Sequence, residues 1–163
     1  MAFNPLAQIP TGVASTTQLN ASIVALNQIL AGLSGQTQQA ASTSTLTVTN
    51  VETDVPGATL TLTVTGANAF AIVNGTFDYK TTTGVASQFF LGLLSVDGGD
   101  QTANATHDAA VSGVGGGCTQ TWKVPLSAGS HTLKLRAIVS SGAVVAIVGV
   151  GHTTITATVW DIP

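Results

Sequence analysis

The chain has 163 residues, of which 44% are hydrophobic and only 7% charged, and its net charge is −3. This length accommodates one ordinary domain with a small extension, but a typical soluble domain is about 25% charged. The four basic residues, Lys80, Lys123, Lys134 and Arg136, form no stripe, which excludes a phosphate-tracking nucleic-acid surface, and the lone Cys118 excludes a disulfide scaffold.

Residues 1–14 carry Pro5, Pro10 and Gly12 and read as irregular. Met1 to Thr11 lack Lys, Arg and a long apolar run, so no secretory signal is expected there. Ser15 with Gln18 three residues later forms a capping box and predicts a helix start. The apolar residues that follow, Leu19, Ile23, Leu26, Leu30 and Leu33, are spaced four and three apart in alternation. That is a heptad seam, with Ile23 and Leu30 at a and Leu19, Leu26 and Leu33 at d. Gly35 is the expected stop. A stripe of this length also fits a helix lying on its own β domain. Two features favour association between copies: the opposite face (Thr17, Asn20, Ser22, Asn27, Gln28) is polar but uncharged, and the sequence shows no second helix. An isolated helix this short is marginal in water. By itself, Ile at a with Leu at d leans toward dimers.

Residues 36–45 are rich in Gln, Ser, Thr and Ala and read as a polar linker. Residues 46–163 read as β throughout. Leu46 and Val48 alternate with threonines, and Thr59 to Thr65 alternates strictly, with Leu60, Leu62 and Val64 inward. Asn74-Gly75 between two apolar stretches predicts a hairpin. Gln88 to Val96 is a near-continuous apolar run, expected at a central or interface position. Asp97-Gly98-Gly99-Asp100 predicts a turn, and Gln101 to Gly117 a weak strand and a loop. Strands are expected over Thr119 to Leu126 and His131 to Val139, joined by a turn at Ser127 to Ser130. Ala137 to Gly151 is too short to span a bilayer and reads as a hairpin broken at Ser140-Ser141-Gly142. Thr153 to Trp160 is the last strand. The expected class is mainly β, an antiparallel β-sandwich or jelly roll preceded by a short N-terminal α-helix that forms an oligomerising bundle.

Residues able to carry chemistry are few. His107 and Asp108 are adjacent, so on a strand they point to opposite faces and make no dyad. Cys118 has no helix start after it to activate it, and no nucleophile elbow is present. Glu52 is the only Glu, and the aspartates cluster in turns, which leaves no placed carboxylate pair. A hydrolase using His107 or Cys118 is the weakest of the readings. A calcium loop from Asp97, Asp100, His107 and Asp108 has suitable oxygen donors, yet Asp-Gly-Gly-Asp is first turn chemistry. No catalytic residue, metal or cofactor is therefore expected. Trp122 and Trp160, with Tyr79, are the candidate aromatic platform for a sugar.

Two segments carry a resemblance. Ile9-Pro10-Thr11-Gly12, leading to Thr17-Gln18-Leu19-Asn20-Ala21-Ser22-Ile23, resembles the start of tailed-bacteriophage fibre proteins, in which an attachment segment precedes an Asn-rich helix. Val124 to Ala137 resembles a recurrent piece of trimeric phage domains of the tumour-necrosis-factor-like jelly-roll type, in which a Gly-containing turn joins two strands. The resemblance covers about a third of the chain. It implies a homotrimeric virion protein, a short fibre or a capsid or tail decoration, with a host-receptor or carbohydrate-binding adhesin as the alternative. On that reading residues 1–35 attach and trimerise, with 1–18 meeting other virion proteins, 36–45 link, and 46–163 form the jelly roll. Its partners would be other copies, virion proteins and host-surface glycan, with neither nucleic acid nor membrane.

Overall fold

The computed structural model describes residues 15–33, 36–142 and 145–161, without the side chains of 28–33, 145 and 147. Residues 1–14 of the expected attachment segment 1–18 and the stop at Gly35 lie outside the described residues. One helix, α1 (Thr16–Leu33), precedes the strands β1 (Gln36–Ala41), β2 (Leu46–Val48), β3 (Thr53–Val64), β4 (Ala69–Thr83), β5 (Phe89–Val96), β6 (Gly99–Asp100), β7 (Ala105–Asp108), β8 (Gly115–Leu126), β9 (Gly129–Val139), β10 (Val145–Val148) and β11 (Thr154–Trp160).

The strands form two antiparallel sheets. In the first, β4 pairs with β8 along one side; along the other it pairs with β11 and then β10, and β1 and β2 close those ends. In the second, the order is β3-β9-β5, with β6 and β7 both on β5. Setting aside the short β2, β6 and β10, the eight remaining strands run 1-8-3-6 in one sheet and 2-7-4-5 in the other. That is the double Greek key of a jelly roll. The protein is therefore mainly β, with one helix in front, as the sequence pattern predicts.

Alternation builds the core. Leu60, Leu62 and Val64 of β3, Leu133, Leu135 and Val139 of β9, and Ile155, Ala157 and Val159 of β11 are buried, while the residues between them face out. Phe77 and Phe90 are fully buried and meet edge to face, with centroids 6.1 Å apart. Each such side chain contributes on the order of 1.5–3 kcal/mol through removal from water.

Three sequence expectations are corrected. Asn74-Gly75 is no turn: β4 runs through it, and Asn74 and Gly75 pair with Thr121 and Gln120. The glycine is there for space, because a Cβ at Gly75 would lie 2.9 Å from both Leu135 Cδ2 and Trp122 Cζ3. Residues 36–45 are not all linker, since Gln36–Ala41 form β1 against β11; the Gln/Thr composition suits an edge strand with little to bury. Ala137 to Gly151 is no hairpin, because β9 pairs in the second sheet and β10 in the first, so the chain crosses the sandwich there. The Asp97-Gly98 turn does form, with φ of 52° and 86°.

Gly92 packs directly beneath the Phe77 ring, and a Cβ there would come within 2.4 Å of Cε2. Phe77 has no room to yield. Gly92→Ala is expected to lower stability by about 1–3 kcal/mol through overpacking, whereas Gly99→Ala, whose Cβ meets only ordinary contact at 3.5 Å, leaves it nearly unchanged. Thermal unfolding of both variants checks this.

Candidate functional site

The start of α1 is built as the sequence predicts. The Ser15 N–H donates to Gln18 Oε1 (3.1 Å) and the Gln18 N–H donates to Ser15 Oγ (3.3 Å), which satisfies donors that α1 cannot pair internally. No acidic residue occupies its first turn and no basic residue its last, so charge adds nothing through the helix dipole. Every residue from 15 to 27 is exposed. Leu19, Ile23 and Leu26 are 52%, 50% and 58% exposed, so this stretch of the seam is not docked on the β sandwich. Leu30 and Leu33 belong to the helix, but their side chains are outside the described residues. Val24, 56% exposed, lies well off the seam at about 100° per residue.

The proposed aromatic platform divides. Trp122 is only 4% exposed, and its Nε1–H donates to the Ala103 carbonyl at 2.7 Å; it is a core residue and no platform. The period-two pattern contains that signal, because Trp122 shares its parity on β8 with Val124 and Leu126. Trp160 is half-buried and faces outward. It stacks on Phe70 with centroids 5.1 Å apart and planes 15° apart, and Lys123 Nζ lies 4.8 Å from the Phe70 ring centre. Phe70 and Lys123 escape a sequence reading because only the β11-β4-β8 register brings them beside Trp160. Tyr79 is buried and stacks on Phe90 at 4.1 Å.

The groups with catalytic potential are engaged elsewhere. The Tyr79 hydroxyl lies 2.8 Å from the Asp108 carbonyl, which accepts from it, and 2.6 Å from His107 Nδ1. Burial first, then the nearby Cys118 and Asp108, pushes the Tyr79 hydroxyl up to about 12, and burial pushes the Cys118 thiol up to about 11. Both are therefore protonated at neutral pH and poor nucleophiles. His107 Nδ1 lies 3.0 Å from the backbone carbonyl of Asp108, whose carboxylate Oδ1 accepts from the Ala110 N–H at 2.8 Å. His107 and Tyr79 border a cleft of about 200 Å³ with Val111 and Val114.

The aspartates of the supposed calcium loop go separate ways. Asp100 binds Arg136 Nη1 at 3.0 Å, and the same guanidinium pairs with Glu52 and, at 3.0 Å, with Asp54. Lys134 adds a 2.7 Å contact to Asp54. Burial and then the charge of Asp100 push the Glu52 carboxyl up, against the pull of Arg136. Asp97 Oδ2 lies 2.7 Å from His131 Nδ1, and its Oδ1 accepts from the Thr132 N–H. His131 Nε2 is 2.8 Å from the Ser127 carbonyl. Both ring nitrogens thus face acceptors, an arrangement that suits the imidazolium. His152 is exposed, with Nδ1 3.4 Å from Asp78.

Comparison with protein-family models and with curated proteins gives no match. Among solved structures, the chain is similar to latent PorU from Porphyromonas gingivalis, with 12% identity over 78% of this chain and 13% of that one and a TM-score of 0.43. It is also similar to the VP2 protein of infectious bursal disease virus, with 9% identity over 78% and 36% and a TM-score of 0.43. The Gx strain of that virus gives 12% identity over 79% and 36% and a TM-score of 0.38. The chain spans only 13% to 36% of the length of these proteins.

The Asp97–His131 pair makes stability depend on pH. The hydrogen bond to Asp97, then that to Ser127, raises His131 above its ordinary 6.5, and the bonds from His131 and Thr132 hold Asp97 below 3.8. The His131 contribution is complete below 6.5 and is lost as pH rises through its raised folded value; the Asp97 contribution is lost only in acid. With Asp97 half exposed, the pair is worth roughly 1 kcal/mol. Tm is expected to fall by about 2–4 °C between about pH 5.5 and 8.5, and Asp97→Asn to flatten that slope.

Proposed function

We propose that the chain is a non-enzymatic structural protein of a virus particle: a short trimeric fibre, or a capsid or tail decoration, of a tailed phage. In this reading residues 1–18 bind other virion proteins, α1 gathers the copies, and the jelly roll projects outward. The observation that carries it is the exposed seam of Leu19, Ile23 and Leu26. Water disfavours three aliphatic side chains aligned on one face, and a bundle of identical helices is the simplest cover.

Threefold number and phage origin rest on the resemblance of two segments. The first, through Ile23, includes the capped start of α1. The second, Val124 to Ala137, falls on the end of β8, the following turn and β9. The non-enzymatic reading is supported by the engagement of Tyr79, Cys118 and the carboxylates in packing and ion pairs. The adhesin alternative loses Trp122 to the core and keeps Trp160, whose outward stack on Phe70 would suit a sugar.

Light scattering at micromolar concentration is expected to give three times 16.3 kDa, about 49 kDa. Leu19→Asp with Ile23→Asp is expected to give monomers that retain the β circular dichroism spectrum. Wild-type monomers at that concentration would sink the proposal.

A further inference from the structure

The described part of the helix seam offers only a small contact between copies. Leu19, Ile23 and Leu26 are each about half exposed, and what they can hide is on the order of 300 Å² per copy. A standard specific interface buries roughly 800 Å² per partner. The β body can add to that contact, and the chain limits which part of it does so. From Leu33 at the end of α1 to Gln36 at the start of β1 are three Cα steps, at most about 11 Å. A bundle of α1 therefore brings the β1 end of the first sheet toward its counterparts.

That end of the sheet is unlike the rest of the surface. Gln36 pairs with Val159, the neighbour of Trp160, and Trp160 is opposite Phe70, which is opposite Pro125. Beyond this Phe70–Trp160 stack the outward face continues as Thr37, Thr158, Thr156, Asn74 and Thr121. Lys123, over the Phe70 ring, is the one charge among the described outward residues from Phe70 to Asn74 and their cross-strand partners. The hydroxyls and amides are partly matched within the chain: Thr37 with Thr158 at 3.1 Å, and Asn74 with Thr121 at 3.0 Å. Covering polar groups that already have partners costs little. The outward face of the second sheet is the opposite case, carrying Glu52, Asp54, Asp100, Lys134 and Arg136 in ion pairs. The first sheet's outward face thus carries Lys123 alone at the end where α1 joins, with Asp78 and Lys80 farther along β4.

We infer that this part of the first sheet, with the Phe70–Trp160 stack at its end, is the second half of one interface between copies of this chain, continuous with the α1 seam. The inference rests on the self-association proposed above. It assigns Trp160 to contact with another copy in place of a sugar, and leaves the charged second sheet facing outward.

The test uses the full chain, with the mass followed by sedimentation over a dilution series. Thr121→Glu places a charge on the face at an exposed position, and Trp160→Ala removes the stack. Each is expected to raise the concentration of half-dissociation at least about tenfold. Thr61→Glu, at an exposed outward position of β3 in the second sheet, is expected to leave it unchanged. All three should keep the wild-type circular dichroism spectrum. Wild-type association by both Thr121→Glu and Trp160→Ala, with dissociation by the Leu19→Asp/Ile23→Asp seam variant, overturns this inference and leaves the helix reading standing. A monomeric wild type overturns both. Unchanged mass of Trp160→Ala with loss of binding on a glycan array identifies the stack as a sugar platform, and that too overturns it.

Discussion

The register of β4 is the constraint on which the rest of the molecule depends. This 15-residue strand pairs with β8 along one side and with β11 and β10 along the other. Because side chains alternate, one pairing frame decides the destination of every residue on four strands. Ala71, Val73, Phe77 and Tyr79 enter the core; Phe70, Ile72 and Asn74 face out. The same frame sends Trp122 inward over Gly75 and Trp160 outward onto Phe70. A slip of β4 by one residue against its neighbours would place Phe77 in water. Gly75 and Gly92 guard against this, since each leaves space that a specific ring fills.

The scarce charges work as local clamps. Asp161 accepts from the Thr65 and Gly66 N–H groups and the Thr65 hydroxyl at 2.6–2.8 Å, tying the residue after β11 to the β3–β4 connection. Those bonds hold its carboxyl below the usual carboxylate range. Asp97 and His131 join the β5–β6 turn to the β8–β9 turn, and Arg136 gathers Glu52, Asp54 and Asp100 across β3, β9 and the β6 edge. Asp161, held by backbone N–H groups, and Asp97, held by His131 and the Thr132 N–H, are stabilised as anions and poorly placed to trade protons. The poverty of titratable residues and their engagement lead to the same functional reading.

Much of the fold was legible because alternation is local. Thr59 to Thr65, Leu133 to Val139 and Thr154 to Trp160 reveal strands from their own residues, and Ser15 with Gln18 reveals the helix start. What stayed hidden depends on partners distant in sequence. Asn74-Gly75 looks like a turn until Trp122 and Leu135 occupy the space beside it. Gln36 to Ala41 looks like a linker until β11 supplies a pairing edge. Of the candidate platform, Trp160 alone faces out, and Phe70 and Lys123 join it only through cross-strand register. The seam residues Leu19, Ile23 and Leu26 were legible because a helix carries its face in its own spacing.

A β protein with so little charge faces the hazard of uncontrolled edge pairing. The long edge strand β8 pairs with β4 and, among the described residues, with no other strand. It carries Lys123 and Pro125 in its second half, a charge and a residue without an N–H, and both discourage a further strand. Its first three residues, Gly115 to Gly117, offer no side chains to anchor one. Blunted edges close the indiscriminate route to association, and in the reading proposed above the exposed helix seam opens one with a defined axis. On that reading a chain with little charge repulsion associates through the surface whose geometry limits the number of copies.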